Sequence, residues 1–184
     1  MELKAEGVSR RFFRKTGSAN FFYAVEKTDF VLPASSLIEI TGRSGSGKST
    51  LLNLLAGLLE PSEGKVWLDG TDLYALPDAE RSRLRNRAIG VIPQGQTGLH
   101  SLSVLENVKL PWLLYGESIP DGEAMELLKR VGIAHLKDAS PSELSGGEMR
   151  RMAIARALIR RPPILLAVRT GTVGNSSGCS GLAY

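Results

Sequence analysis

The octet Gly42 to Ser49, GRSGSGKS, carries the residue types and spacing most suited to chemistry in this sequence. It sets a glycine, four residues, a second glycine, a lysine and a serine in the order of a loop that wraps phosphate groups. The glycines allow backbone angles that turn successive amides toward one point, and the helix expected next adds its positive end to the same anionic site. In such a loop Lys48 reaches the β and γ phosphates of a nucleoside triphosphate, the Ser49 hydroxyl ligates Mg²⁺, and Thr50 lies near the α phosphate. Gly42, Arg43, Ser44, Gly45, Ser46 and Gly47 form the cradle itself. The plainer reading is a glycine-rich turn that caps a helix; the Lys-Ser pair weighs against it.

The neighbouring elements have the order this chemistry requires. Leu37 to Thr41 (LIEIT) reads as a short β-branched strand stopping at the loop, and Lys48 to Leu59 has helical apolar spacing. Tyr23 to Leu32 alternates as a strand should, and Gly64 to Leu68 gives another after the Pro61 turn. Asp78 to Arg87 reads as a charged, exposed helix, and Ala88 to Ile92 as a buried strand stopped by Pro93. From Gly95 to Ser142 short helices are broken by Pro111, Gly116, Pro120, Gly122 and Gly132, with Glu123 to Val131 the clearest. A second strong helix is expected from Ser145 to Arg160, ended by Pro162 and Pro163, and Ile164 to Ala167 reads as a buried strand. After that the composition changes to Gly, Ser and Thr, as in a linker.

A second glycine motif fixes the class. Leu144 to Glu148 spells LSGGE and is followed by MRRMAIARAL. Ser145 supplies a hydroxyl, and Gly146 and Gly147 expose amides at a helix start. Alone, the string also fits a capped helix with no ligand. Joined to the phosphate loop, it closely resembles the signature motif of ABC transporter ATPases, and the resemblance covers nearly the whole chain up to Ala167. It implies an α/β fold of the P-loop NTPase class: an ABC-type nucleotide-binding domain over residues 1–167, with an N-terminal antiparallel β portion and a helical subdomain at about 95–147.

The resemblance also implies ATP and Mg²⁺ as ligands. Phe12 stands where an aromatic residue stacks on adenine; an ordinary packing aromatic is the competing reading. Gln94 stands where a glutamine touches Mg²⁺ and the attacking water. Ser145, Gly146 and Gly147 stand where the motif caps a γ phosphate held by a second subunit. The segments YAVEKTDF, NLLAGLLEPSEGKVWLDG and LENVKLP resemble the small ATPases of lipoprotein, macrolide and peptide exporters or of the cell-division complex. The implied partners are ATP or ADP, a membrane-spanning permease, and a second copy or second nucleotide-binding domain, with no nucleic acid. The implied location is cytoplasmic, peripheral at the inner face of the membrane through the permease.

The pattern then fails. In the family an apolar strand like Ile164 to Ala167 is followed by Asp and Glu, which hold the Mg²⁺ shell and polarise the attacking water; here Val168 and Arg169 stand in those places. Neither side chain can do either task. No Asp or Glu follows Glu148 anywhere. The only histidines, His100 and His135, precede the LSGGE motif and read as surface or packing residues. The family's switch histidine is therefore absent as well. These departures predict an ATP-binding subunit with its C-terminal strands missing, deficient in hydrolysis, and weakly stable, rearranged or completed by a partner. The change after Ala167, into a divergent tail over 168–184, resembles a frameshift or a foreign tail. The alternative readings are a non-catalytic nucleotide-binding or interaction module, and a non-functional frameshifted remnant.

Composition is consistent with a packed globular domain: 42% hydrophobic and 23% charged over 184 residues. The longest apolar stretches fall short of the roughly 20 residues that cross a bilayer, and the start does not read as a secretory signal, so cytosol is the expectation. The single cysteine, Cys179, cannot form an intrachain disulfide. A net charge of +4 selects no partner by itself. Five arginines from Arg150 to Arg161 could form a nucleic-acid patch, but their place behind LSGGE favours a solvated or phosphate-facing role.

Overall fold

Leu3, Ala5 and Val8 are buried on one face of the first strand, and this apolar edge nucleates an antiparallel sheet. A computed structural model describes residues 1–13, 21–43, 45–93, 95 and 98–167 of the chain. Strand β1 (Leu3–Phe13) pairs antiparallel with β2 (Phe21–Leu32) on one side and with β3 (Glu63–Leu68) on the other, and the short β4 (Thr71–Asp72) closes the order β2-β1-β3-β4. The backbones of β1 and β3 touch near Gly64, where an added Cβ would stand 2.4 Å from the Gly7 carbonyl. Gly64 also has φ +87°, so glycine is required there twice over.

A second sheet holds β5 (Ile89–Ile92) and β6 (Ile164–Ala167), paired in parallel with Ile89 opposite Ile164 and Ile92 opposite Ala167. Between the two sheets lies helix α1 (Lys48–Leu55). Leu55 of α1, Val66 and Leu68 of β3, and Ile164 and Leu166 of β6 share one buried cluster with the first strand. Burial of each such side chain is worth about 1.5 to 3 kcal/mol, so this cluster ties α1 to both sheets.

Helix α2 (Asp78–Ala88) leads into β5, and α3 (Val104–Leu113), α4 (Asp121–Arg130) and α5 (Gly146–Leu158) follow, with 3₁₀ turns at Ala134–Leu136 and Pro141–Glu143. These helices enclose a second cluster made of Val104 and Val108 of α3, Leu128 of α4, Ile133, and Met149 and Met152 of α5.

Most sequence-derived elements are present within a residue or two of their expected bounds. Three differ. The strand expected at Leu37 to Thr41 is not one: no sheet pairs it among the described residues, Leu37 is 98% exposed, and Ile38 is also exposed. A β-branched run becomes a strand only where a neighbour supplies the ladder, and here none does. Helix α1 stops at Leu55 rather than Leu59, because Gly57 adopts φ +70° and the amides of Leu58 and Leu59 both turn back to the Asn53 carbonyl. Helix α3 keeps Pro111 inside its last turn, where the break was expected. The Pro111 carbonyl there accepts hydrogen bonds from Asn86 and Arg160. The tail at 168–184 lies outside the described residues.

Candidate functional site

The phosphate-loop residues come together as a turn at the start of α1. The Ser46 amide donates to the Arg43 carbonyl at 3.2 Å, and Gly47, at φ 84°, is the residue from which α1 departs. The loop is pressed against β2: the Ala24 carbonyl oxygen would lie 2.0 Å from a Cβ on Gly47. No other residue type fits at this position in the observed geometry.

Lys48 is the centre of the loop. Its ammonium donates to the carbonyls of Gly42 at 2.6 Å and Arg43 at 2.7 Å, and lies 3.3 Å from the Ser46 hydroxyl. The cation is thus folded back over the loop and holds it curled. A phosphate offers the same ammonium stronger, charged acceptors, so it can replace the two carbonyls without moving the lysine's backbone. Ser49 is exposed and Thr50 half-buried, both on the first turn of α1, where amide groups lack helical partners. Ser44 lies outside the described residues, as does Gln94.

Phe12 sits near the end of β1 and pairs across the ladder with Phe22, their ring centroids 6.0 Å apart. Arg10 stands 4.9 Å over the Phe12 ring. Phe22 is two residues before Ala24, the residue against which Gly47 packs, so β2 links the aromatic pair to the phosphate loop.

The LSGGE motif begins α5. Ser145 is its N-cap, and a reciprocal capping box forms: the Glu148 amide donates to Ser145 Oγ at 3.4 Å, while the Ser145 amide and hydroxyl donate to Glu148 Oε2 at 2.8 Å and 2.6 Å. Those bonds hold the Glu148 carboxyl below its ordinary range, the Ser145 side chain first and its backbone second. The Ser145 hydroxyl expected to meet a ligand is committed here to closing the helix. Exposed Gly146 and Gly147 provide the amides that remain at this helix start.

Sequence reasoning missed one organising residue. Asn107, fully buried in α3, accepts from the Leu99 amide at 2.8 Å and donates from its amide nitrogen toward the carbonyls of Leu99, Leu102 and Ser103 at 2.9 to 3.0 Å. It fixes the path of residues 99–103, shortly after the Gln94 position. A polar residue on an apolar helix face was the available signal. His100 and His135 are both exposed. Of the five arginines near α5, Arg160 is turned inward, 4.2 Å over the Trp112 ring and 3.0 Å from Glu117, so it braces the helical cluster. Val168 and Arg169 lie outside the described residues.

Residues 25–167 match the family profile described as ABC transporter. The chain belongs to the ABC transporter family. The lipoprotein-releasing system ATP-binding protein LolD of Pseudomonas syringae pv. tomato is 52% identical over 131 residues, 70% of this chain and 58% of that protein. LolD of Xanthomonas campestris pv. campestris is 46% identical over 140 residues, 75% of this chain and 59% of that protein. The chain therefore spans less than two thirds of the curated relatives it matches. Its fold superposes on the dimeric structure of MJ0796, a bacterial ABC transporter cassette, with a TM-score of 0.82 at 34% identity, covering 90% of this chain and 72% of that one. The same cassette is known in a post-hydrolysis dimeric state bound to ADP and Pi, matched equally well. The ABC-cassette fold expected from the two glycine motifs is the observed fold.

Proposed function

We propose that this chain is an ATP-binding subunit of an ABC transporter of the lipoprotein-exporter type, one that holds Mg-ATP without turning it over. The arrangement of Lys48 carries this reading: a curled loop at a helix start, with an ammonium ready to exchange carbonyl for phosphate oxygens. The LolD relatives are named for ATP binding, and the MJ0796 cassette was captured with ADP. Adenine stacking falls to Phe12, whose ring pairs with Phe22 on the strand that carries Ala24.

The donor set suits Mg²⁺ only as part of the nucleotide. Among the described residues no cluster of three or more His, Cys, Asp or Glu could hold a free metal ion. Mg²⁺ commonly takes one or two protein oxygens and completes its shell with phosphate oxygens and water. Ser49, on the first turn of α1, and Gln94 are the residues assigned to it, and the ion would screen the phosphate charge against which Lys48 packs.

Hydrolysis fails for want of carboxylates. Val168 and Arg169 follow β6 directly, in the two places where the family resemblance puts the metal-holding and water-polarising carboxylates. Loss of a positioned base costs on the order of 10² to 10⁴ in rate. The proposed partners are those the motif resemblance implies, a membrane-spanning permease at the inner membrane face and a second cassette facing Gly146 and Gly147; the MJ0796 cassette is a dimer. Among the described residues no helix is long and apolar enough to cross a membrane.

Titrating the chain with Mg-ATP, beside its Lys48→Ala variant, tests the proposal. Saturable binding lost in the variant supports it. Equal binding by both, or none by either at millimolar nucleotide, refutes it.

A further inference from the structure

The paired ends of β1 and β2 gather aromatic rings and cations without anions. Four of the chain's five phenylalanines, Phe12, Phe13, Phe21 and Phe22, lie there beside Tyr23. The sequence from Gly7 to Val25 holds Arg10, Arg11, Arg14 and Lys15 and no Asp or Glu. The ladder sets Arg11 opposite Tyr23, Phe12 opposite Phe22 and Phe13 opposite Phe21. Opposed residues share a face and successive residues alternate, so Arg11, Phe13, Phe21 and Tyr23 stand on one face and Phe12 and Phe22 on the other. The Phe12 ring is the one assigned to adenine; the first face has no part in the nucleotide reading. All four of its side chains are exposed, Phe13 at 81%, Tyr23 at 45% and Phe21 at 41% among them. Large apolar side chains exposed singly are ordinary, but three rings on adjoining positions of one face make a patch of the kind that meets a partner.

The chemistry of this face selects its occupant. The Arg11 guanidinium lies 5.6 Å over the Phe21 ring, and Phe21 meets Tyr23 edge to face, their centroids 5.7 Å apart and their planes at 88°. Single-stranded nucleic acid stacks its bases on open ring faces, whereas the Phe21 face is already taken by a cation and its edge contact holds Tyr23 across it. A bilayer interface is less demanding of geometry: it accepts apolar rings at headgroup depth, leaves a phenol hydroxyl in water and pairs cations with lipid phosphates. We infer that this face is a membrane-interface anchor, which places Phe13 and Phe21 among the headgroups of an anionic lipid surface with Arg11 on lipid phosphate. So small an apolar area gives a weak, reversible attachment that orients the chain on a surface. The inference draws neither on nucleotide binding nor on a permease.

Vesicle sedimentation tests it, on the full chain without nucleotide, so that failure here leaves the nucleotide reading untouched. The probes are vesicles of phosphatidylcholine alone and of phosphatidylcholine with an equal part of phosphatidylglycerol. The chain should bind the anionic vesicles more tightly than the zwitterionic ones, and added salt should weaken that binding. Phe13→Ser should lower the affinity for anionic vesicles about tenfold by withdrawing an inserted ring. Arg11→Gln should lower it about fivefold, through the loss of one cation near the surface. Both variants should melt with the parent, since both side chains are exposed. No binding of the parent to anionic vesicles overturns the inference. Binding that Phe13→Ser leaves unchanged overturns it as well, in favour of adsorption through the net charge of +4. Binding of a single-stranded oligonucleotide that Phe13→Ser abolishes, with vesicle binding unaltered, overturns it in favour of a nucleic-acid surface.

Discussion

The Ala24 carbonyl oxygen occupies the space a Cβ on Gly47 would need, 2.0 Å from it, and so locks the phosphate loop onto β2. The Gly47→Ala variant must push the loop away from β2 and hold a left-handed residue as well, at φ 84°. A stability loss of roughly 2 kcal/mol or more is expected by chemical denaturation, together with loss of nucleotide binding. Retention of both would show that the loop can leave β2 without consequence.

Tyr74 reports on the other end of α1. Its hydroxyl lies 2.7 Å from the Leu54 carbonyl and 2.5 Å from the Leu59 carbonyl, and burial pushes its pKa up to about 12 from the ordinary 10.0. The folded state therefore retains the phenol proton more tightly than the unfolded state. This contribution is complete below pH 10 and is lost as pH rises toward 12. Denaturation midpoints across that window should fall less steeply in Tyr74→Phe than in the parent. At neutral pH the same variant should be less stable by about 1 to 3 kcal/mol, since the single phenol proton shared between the Leu54 and Leu59 carbonyls is lost.

Asn107 organises the segment after the Gln94 position, and Asn107→Leu would remove, from a fully buried position, the acceptor of the Leu99 amide and the donor to the carbonyls of Leu99, Leu102 and Ser103. The expected cost is about 1 to 3 kcal/mol. Limited proteolysis should then cut within residues 98–103 of the variant well before the parent is cut. Equal protease resistance would count against this role.

Ser145→Ala removes one half of the capping box on α5. A loss of about 1 kcal/mol is expected from the missing cap, and the Glu148 carboxyl should rise toward its ordinary value because its largest stabilising partner is gone. In the parent that depressed carboxyl favours the fold above the ordinary glutamate range, and the benefit fades as pH falls through the folded value. Carboxyl-resolved NMR titration of the two proteins reads the shift; an unmoved Glu148 would reassign the cause.

The site was more legible in the sequence than the sheet around it. GRSGSGKS and LSGGE declare themselves because their chemistry depends on local backbone geometry, which glycine and serine encode at fixed offsets. Helix α5 was foreseen because Met149 and Met152 repeat at helical spacing. The segment at 37–41 misled for the opposite reason: its side chains favour a strand, but a strand also needs a neighbour, and pairing is not written in the segment itself. Strand β1 was implied only by family resemblance, since a register broken between Ala5 and Val8 blurs its alternation. Ser145 read both as a ligand-facing hydroxyl and as the cap of a helix, and the structure shows the cap, with Glu148 three residues on as its partner.

The central claim, a nucleotide site that binds without turnover, is tested most directly by following Mg-ATP binding and phosphate release on the same preparation. The comparison is a version of the chain with Val168→Asp and Arg169→Glu. The account predicts saturable binding by the parent that disappears in Lys48→Ala, with phosphate release at background. Lys48-dependent turnover by the parent at or above the rate of the doubly substituted chain would contradict it.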